Sequence, residues 1–315
     1  MPINHAGYIG PLAKPGRKRE RVTMLTITSS GKTLGATVSG IDFAKPLASA
    51  DCEVIRLALG EHGVLCFPNQ HLEPAHQIAF ASQFGTLEVN VAAGPYTEPG
   101  HPEMMILSNI EQDGRAIGLG DAGQGWHTDM SYSREIAFAN VLYALQVPVR
   151  DGQPLGGTMF ANMHAAYESL PDDIKHRLEG RQAVHDFQKF WDMMRQRPGS
   201  TRGPLTPEQR AKKPPVAHPI FLLHPLTNRR VLYCNPGYSV RIEGLPQDES
   251  DDLLKLLFKH QLQERFQYTH QWSVNDVLIW ENIGTLHNAI ADYGPQEHRY
   301  IRRCQVMADK VFAAA

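Results

Sequence analysis

The chain has 315 residues and a formal net charge of −2, with 42% hydrophobic and 20% charged residues. This composition is typical of an ordinary globular protein, and the balanced charge gives no electrostatic footprint for nucleic acid or an anionic membrane. The sequence shows neither an apolar run of about 18 residues nor an apolar secretory segment, and its four cysteines are scattered. These features argue against a membrane-spanning chain or a disulfide-stapled secreted domain, and they predict a cytoplasmic protein.

The N-terminal part of the chain is predicted to alternate strands and helices. Residues 1–21 are rich in proline, glycine and basic residues, which predicts a flexible basic tail, and a single domain is expected over 22–315. Short β-branched runs broken by glycine predict hairpins at the start of this domain. Hydrophobic periodicity then predicts helices at 49–62 and 73–84, with a buried strand at 63–69 between them.

The rest of the chain reads mainly as short strands. Residues 86–125 are predicted to form a long loop region around one short strand, and helices are predicted at 164–179 and 248–265. Many short strands with few helices indicate a mainly β fold with peripheral helices (α+β), a sandwich or barrel. The polar segment 186–215 interrupts this pattern, and it is either a lid over a site or a plain surface loop.

One short motif, GWHTDMSY, suggests a metal site. His127 and Asp129 are two residues apart, and on an extended backbone such side chains project from the same face. A third ligand is available in His287, which follows the apolar strand DVLIW. Two imidazoles and one carboxylate form the facial triad of non-haem iron(II) enzymes. Zinc hydrolases use the same three ligands, so the triad alone leaves both classes open.

Residues downstream of His287 point to a dicarboxylate co-substrate. Arg299 and Arg303 lie four apart on the strand-like RYIRRC and are expected to share one face. A guanidinium binds a carboxylate through two parallel hydrogen bonds. In 2-oxoglutarate, the 2-oxo acid end can chelate a metal while the distal carboxylate needs a cation and a hydroxyl. Thr158, in GGTMFANM, offers that hydroxyl.

The ordered set of HxD, GGTMFANM and a distal histidine followed by arginines resembles the taurine dioxygenase and 2,4-dichlorophenoxyacetate dioxygenase family. The similarity extends over roughly residues 22–310 and includes GATVSGIDFAKPL, GVLCFPNQ and FASQFGTLEVN. Members of this family are iron(II)- and 2-oxoglutarate-dependent oxygenases. The resemblance therefore implies a double-stranded β-helix, or jelly roll, with Fe(II) as cofactor and 2-oxoglutarate and O2 as co-substrates.

The resemblance also assigns roles to individual residues. It implies that His127, Asp129 and His287 are the iron ligands. Thr158 and Arg299 match the residues that hold the distal carboxylate of 2-oxoglutarate. Of the two candidate substrate-binding residues, Arg303 matches an arginine that reaches the anionic group of the substrate in the taurine enzyme, and Asn90 stands where that enzyme has a histidine.

The expected reaction is hydroxylation of a small anionic substrate, with release of succinate and CO2. A sulfonate, an aryloxyalkanoate, a sulfate ester and an amino-acid-like compound all fit this description. The altered positions Asn90 and Gly123 argue against taurine itself, and the retained Asp129 favours hydroxylation over halogenation. A zinc-type hydrolase and a binding module with a structural triad are the alternatives. The expected partner is a small molecule and neither nucleic acid nor a membrane, with homo-oligomerisation left open.

Overall fold

The computed structural model describes residues 25–89, 96–197, 200 and 202–312 of the chain. The predicted basic tail and the candidate residue Asn90 lie outside these ranges. Its α-helices are α1 (Ser49–His62), α2 (Pro74–Ala81), α3 (Met163–Glu168), α4 (Asp172–Leu178), α5 (Phe187–Arg195), α6 (Pro207–Lys212), α7 (Gln247–Gln261) and α8 (Asp309–Phe312). Of these, α1 and α7 are long and the others are short.

Strands make up most of the remaining regular structure. Many of them have only two to four residues, and they are β1 (Thr26–Ser29), β2 (Ala36–Ser39), β3 (Val64–Phe67), β4 (Thr97–Glu98), β5 (His101–Ser108), β6 (Glu111–Gln112), β7 (Arg115–Ala116), β8 (Ala137–Gln146), β9 (Val149–Arg150), β10 (Gln153–Pro154), β11 (Thr158–Asn162), β12 (Gln182–His185), β13 (Val216–Pro219), β14 (Phe221–Leu223), β15 (Arg230–Leu232), β16 (Ser239–Ile242), β17 (Gln267–His270), β18 (Val277–Glu281), β19 (Thr285–Ala289) and β20 (Tyr300–Met307).

A large mixed sheet of eight strands dominates the fold, in the order β1-β2-β3-β18-β8-β20-β5-β4. Its neighbouring strands are antiparallel except for β2 and β3, which are parallel. Alternate residues of β3 join different apolar clusters: Leu65 and Phe67 pack with the helices α1 and α2, whereas Val64 and Cys66 pack on the opposite face. Because both faces are covered, the central strands read as nearly continuous apolar runs.

A three-stranded antiparallel sheet, β17-β11-β19, covers the second face of the large sheet. Phe160 of β11 lies directly opposite His287 of β19, and its ring packs against Trp280 of the large sheet with the centroids 5.3 Å apart. Thr158 precedes Phe160 by two residues and so projects from the same face of the strand. The face of the small sheet that meets the large sheet therefore carries both His287 and Thr158.

Most of the predicted elements are found, with local differences. The predicted helix at 49–62 coincides with α1, and the next helix, α2, ends at Ala81. The single helix predicted at 164–179 is wrong, because the chain forms α3 and α4 there. Pro171 occupies the N-cap of α4, where a residue without a backbone N–H cannot continue the preceding helix. The one short strand predicted within the loop region 86–125 is confirmed as the longer strand β5, and the region also contains the small hairpin β6–β7.

The four cysteines are all buried, and none of them forms a disulfide. This agrees with their scattered spacing along the chain. Within the described ranges, no helix combines the length and the apolar character that crossing a membrane requires.

Candidate metal centre

His127 and His287 lie side by side on two backbone segments that exchange hydrogen bonds. The His127 N–H donates to the His287 carbonyl at 3.1 Å, and the His287 N–H donates to the His127 carbonyl at 2.8 Å. Asp129 follows in a turn rather than in a regular strand. One nitrogen of each imidazole and one oxygen of Asp129 lie within 4.8 Å of one another. A single metal ion can contact all three after small side-chain adjustments, since its bonds to nitrogen and oxygen are about 2.0–2.2 Å long.

The hydrogen bonds of His127 fix the tautomer that a metal ligand needs. Its Nδ1 lies 2.7 Å from the Gly125 carbonyl oxygen. Because a carbonyl oxygen can only accept, Nδ1 carries the proton and Nε2 keeps its lone pair. That Nε2 is 3.4 Å from Oδ1 of Asp129. Nε2 of His287 is 4.0 Å from the second carboxylate oxygen, Oδ2.

The charges around Asp129 keep its carboxyl group ionised. Burial alone would raise the pKa of Asp129, but the Arg303 guanidinium beside it outweighs this effect and holds that pKa well below its usual range. Burial, followed by the charge of His127, lowers the pKa of His287 to about 3. At neutral pH the site therefore offers one carboxylate and a neutral imidazole at His287, which are the protonation states of metal ligands.

Asn140 on β8 orients the carboxylate of Asp129. Its Nδ2 donates to Oδ2 of Asp129 at 2.9 Å and lies 3.3 Å from Oδ1 of Asn282. The same Asn282 oxygen accepts from Nε1 of Trp280 at 3.2 Å. Sequence reasoning missed Asn140. The available signal was a single amide side chain within the apolar run AFANVLYAL, because a buried polar group requires a partner.

Thr158 and Arg299 provide a hydroxyl and a guanidinium in buried surroundings. Nε1 of Trp272 donates to the Thr158 hydroxyl oxygen at 3.1 Å, which leaves the hydroxyl proton of Thr158 free to donate elsewhere. Arg299 is only 7% exposed, and burial lowers its pKa while the hydrogen bond with Tyr293 opposes this shift. Among the described residues, no carboxylate forms a salt bridge with Arg299. A buried cation of this kind is stabilised by an anionic partner.

A cavity of about 330 Å³ opens onto His127 and Asp129. Arg303 lines it, with Nη1 3.2 Å from Oδ2 of Asp129 and Nη2 2.8 Å from the Gln305 side-chain oxygen. Gly123 also belongs to its wall. The second candidate substrate residue, Asn90, lies outside the described residues. The neighbouring Arg302 points to the other side of β20, where it donates to the Leu72 carbonyl oxygen.

The polar segment 186–215 supplies one wall of this cavity. It contains α5 and α6, and its residues Phe187, Phe190, Trp191, Met194, Arg202 and Lys213 line the cavity. The Phe190 ring packs on the His127 ring with centroids 4.9 Å apart. The segment thus covers the candidate metal ligands rather than lying on an unrelated surface, and it forms the aromatic part of the wall.

Comparison with known proteins identifies the family. Residues 26–305 match the family described as "Taurine catabolism dioxygenase TauD, TfdA family". Pentalenolactone F synthase of Streptomyces avermitilis is 32% identical over 292 residues, which cover 89% of this chain and 92% of that protein. The alpha-ketoglutarate-dependent 2,4-dichlorophenoxyacetate dioxygenase of Cupriavidus pinatubonensis is 33% identical over 287 residues, or 88% of this chain and 95% of that protein.

A solved structure supports the same assignment. The crystal structure of AAD-2 in complex with Mn(II) and N-oxalylglycine superimposes on this structure with a TM-score of 0.74 at 27% sequence identity. The superposition covers 90% of this chain and 97% of the AAD-2 chain. The packed sheets and the buried His/Asp/His cluster thus define a metal-binding dioxygenase. The chain belongs to the TauD/TfdA family and is an alpha-ketoglutarate-dependent dioxygenase. The zinc hydrolase and the non-enzymatic binding module receive no support from these comparisons.

Proposed function

We propose that the protein is an Fe(II)- and 2-oxoglutarate-dependent dioxygenase that hydroxylates a small anionic organic substrate. The reaction consumes O2 and 2-oxoglutarate and releases succinate and CO2 with the hydroxylated product. The observation that carries this proposal is the buried Arg299, a cation without a carboxylate partner among the described residues. Residues 22–315 form the single catalytic domain, and the two packed sheets are the walls of a double-stranded β-helix.

The residues of the cluster fit an iron ion. His127, Asp129 and His287 would hold it through two imidazole nitrogens and one carboxylate oxygen, and three ligands on one face leave the other positions open. The orphaned lone pair on Nε2 of His127 supports this fit, because Nδ1 already donates to the Gly125 carbonyl. When bound, the iron would supply the chemistry of O2 activation and one-electron transfer, which no protein side chain provides.

The remaining residues bind and orient the co-substrate. Arg299 would clamp the distal carboxylate of 2-oxoglutarate with parallel N–H donors, and the free hydroxyl proton of Thr158 would donate to the same group. The similar protein AAD-2 in complex with Mn(II) and N-oxalylglycine supports a metal and a co-substrate of this kind, since N-oxalylglycine differs from 2-oxoglutarate only by an NH in place of a methylene. Segment 186–215 would exclude water from the reacting atoms.

The relatives support an anionic organic substrate without identifying it. One of them acts on 2,4-dichlorophenoxyacetate, which is an aryloxyalkanoate, and another is called an alkylsulfatase. Arg303 and Asn90 are the substrate-side residues of this proposal. Arg303 lines the cavity beside Asp129, where its positive charge favours an anionic substrate.

The test is succinate formation from 2-oxoglutarate in the presence of Fe(II), ascorbate and a panel of sulfonates, aryloxyalkanoates, sulfate esters and amino acids. We expect one class to stimulate succinate release, which requires O2 and is abolished in Asp129→Ala. An Asp129→Ala variant with wild-type turnover would contradict the proposal. Product formation without O2 would instead indicate hydrolysis.

A further inference from the structure

Three cationic side chains line the cavity in front of the candidate metal ligands: Arg202, Lys213 and Arg303. Two of them already have a carboxylate partner. Arg202 donates from Nε to Oδ2 of Asp121 at 3.1 Å, and Arg303 pairs with Asp129 at 3.2 Å. Within the described ranges, Lys213 forms no salt bridge within 4.0 Å. Of the three charges, Lys213 is therefore the one left for a ligand.

The surroundings of Lys213 make an exogenous anion favourable. Its Nζ lies 4.7 Å from the ring centroid of Tyr132 and 4.8 Å from that of Phe187. Burial lowers the pKa of Lys213, while the charge of Glu88 opposes this shift. Aromatic faces compensate only part of the desolvation of an ammonium group. A partly desolvated cation is stabilised further by direct contact with an anion.

The rest of the cavity favours an apolar body attached to that anion. Phe187, Phe190, Trp191 and Tyr238 present aromatic rings, and Phe190 stacks on Tyr238 with centroids 4.9 Å apart. The volume of about 330 Å³ lies at the lower end of the range for small-molecule sites. Such a wall binds a compact hydrophobic or aromatic group and leaves the ammonium as its polar anchor.

We propose that Lys213 is the anion-binding residue for the primary substrate, which is an organic monoanion with an apolar body about the size of an aromatic ring. This inference rests on the proposed dioxygenase function and assigns the anion subsite to segment 186–215. Arg303, which is already paired with Asp129, adds its positive charge to the same cavity, and Lys213 makes the direct contact with the anion. The substrate carbon that reacts lies on the apolar body, between the Lys213 anchor and the metal ligands.

The test compares anions with neutral compounds of the same shape. The probes are phenoxyacetate, 3-phenylpropanoate and 2-phenylethyl sulfate, each beside its amide or alcohol counterpart. Binding is measured anaerobically, with Fe(II) and 2-oxoglutarate bound, from the quenching of tryptophan fluorescence, because Trp191 lines the cavity. The visible absorption of the Fe(II)–2-oxoglutarate complex is recorded in the same samples. That absorption tests the proposed function independently of Lys213 and shows that each variant retains a folded metal site.

We expect the wild-type protein to bind at least one anion about 10- to 100-fold more tightly than its neutral counterpart. One charge-assisted hydrogen bond accounts for a difference in affinity of this size. Lys213→Met should abolish this preference, and Lys213→Arg should restore part of it. The control is Lys212→Met, because Lys212 is exposed and should leave the preference unchanged. A wild-type protein without preference, or a Lys213→Met variant that retains it, overturns the proposal. Loss of the visible absorption in wild type would contradict the proposed function instead.

Discussion

Nδ2 of Asn140 donates to Oδ2 of Asp129, and Nη1 of Arg303 donates to the same oxygen. The two donors occupy one side of the carboxylate and leave Oδ1 near Nε2 of His127. The orientation of Asp129 is therefore set by β8 and β20 of the large sheet, independently of any bound metal. Partners of this kind tune metal affinity although they do not contact the ion.

Replacing Asn140 by leucine should weaken metal binding without removing a ligand. Leucine has a similar volume but no donor, so Asp129 loses one of its two orienting hydrogen bonds. We expect metal affinity to fall about 10- to 100-fold, measured by anaerobic titration with Fe(II) or Mn(II). The control is Gln77→Leu, because Gln77 is a buried amide that donates to the carbonyls of Val141 and Arg302. Unchanged affinity in Asn140→Leu would show that Arg303 alone orients the carboxylate.

Adding a methyl group at Gly237 should displace His127. A Cβ at Gly237 would lie 2.8 Å from the His127 Cβ and 3.2 Å from a ring carbon of Phe190. We expect Gly237→Ala to lower the free energy of unfolding by about 1–3 kcal/mol and to reduce metal affinity. Gly203→Ala is the control, since a Cβ there meets nothing within 4 Å. Equal metal affinity in the two variants would contradict the close packing around His127.

Arg299→Gln should affect 2-oxoglutarate more than the metal. Glutamine removes the charge that the distal carboxylate requires, so we expect the KM for 2-oxoglutarate to rise about 10- to 100-fold. Metal affinity in the absence of 2-oxoglutarate should change little. The matched control is Arg302→Gln, because Arg302 is also buried but stacks over the Tyr143 ring and donates to a backbone carbonyl. A similar KM in both variants would remove Arg299 from the co-substrate site.

His185 should contribute to the loss of stability in acid. Burial, with a smaller effect from the charge of His218, lowers the pKa of His185 from 6.5 to about 3. The unfolded chain therefore binds a proton that the folded chain does not, and stability is lost as the pH falls from about 6.5 towards 3. The full effect is at most about 5 kcal/mol. His185→Phe should flatten the pH dependence of Tm across this interval, whereas the exposed His176→Phe should not.

The sequence was sufficient for the local elements with clear periodicity. The helix α1 and the strand β3 form where the sequence predicted them, because α1 buries the face that its apolar spacing defines and β3 is a continuous apolar run that ends at Pro68. The break at Pro171 between α3 and α4 was readable in principle from the missing N–H of proline. The small strands within 86–125 have too few residues for a periodic signal, so their pairing depends on neighbours that are distant in sequence.

The sequence by itself determined which residue types are available: a histidine and an aspartate two apart, a distal histidine, and arginines on a late strand. Only the tertiary structure decided which of them meet. The pairing of β11 with β19 places Thr158 and His287 on one face, and the turn after His127 brings Asp129 beside both imidazoles. Asn140 and Lys213 come from segments with no shared motif, and their roles depend on contacts across the large sheet and the covering segment. The spacing of residues along the chain determines only which of them share a face of one strand or helix. A site forms only when several packed elements bring residues from distant parts of the chain together.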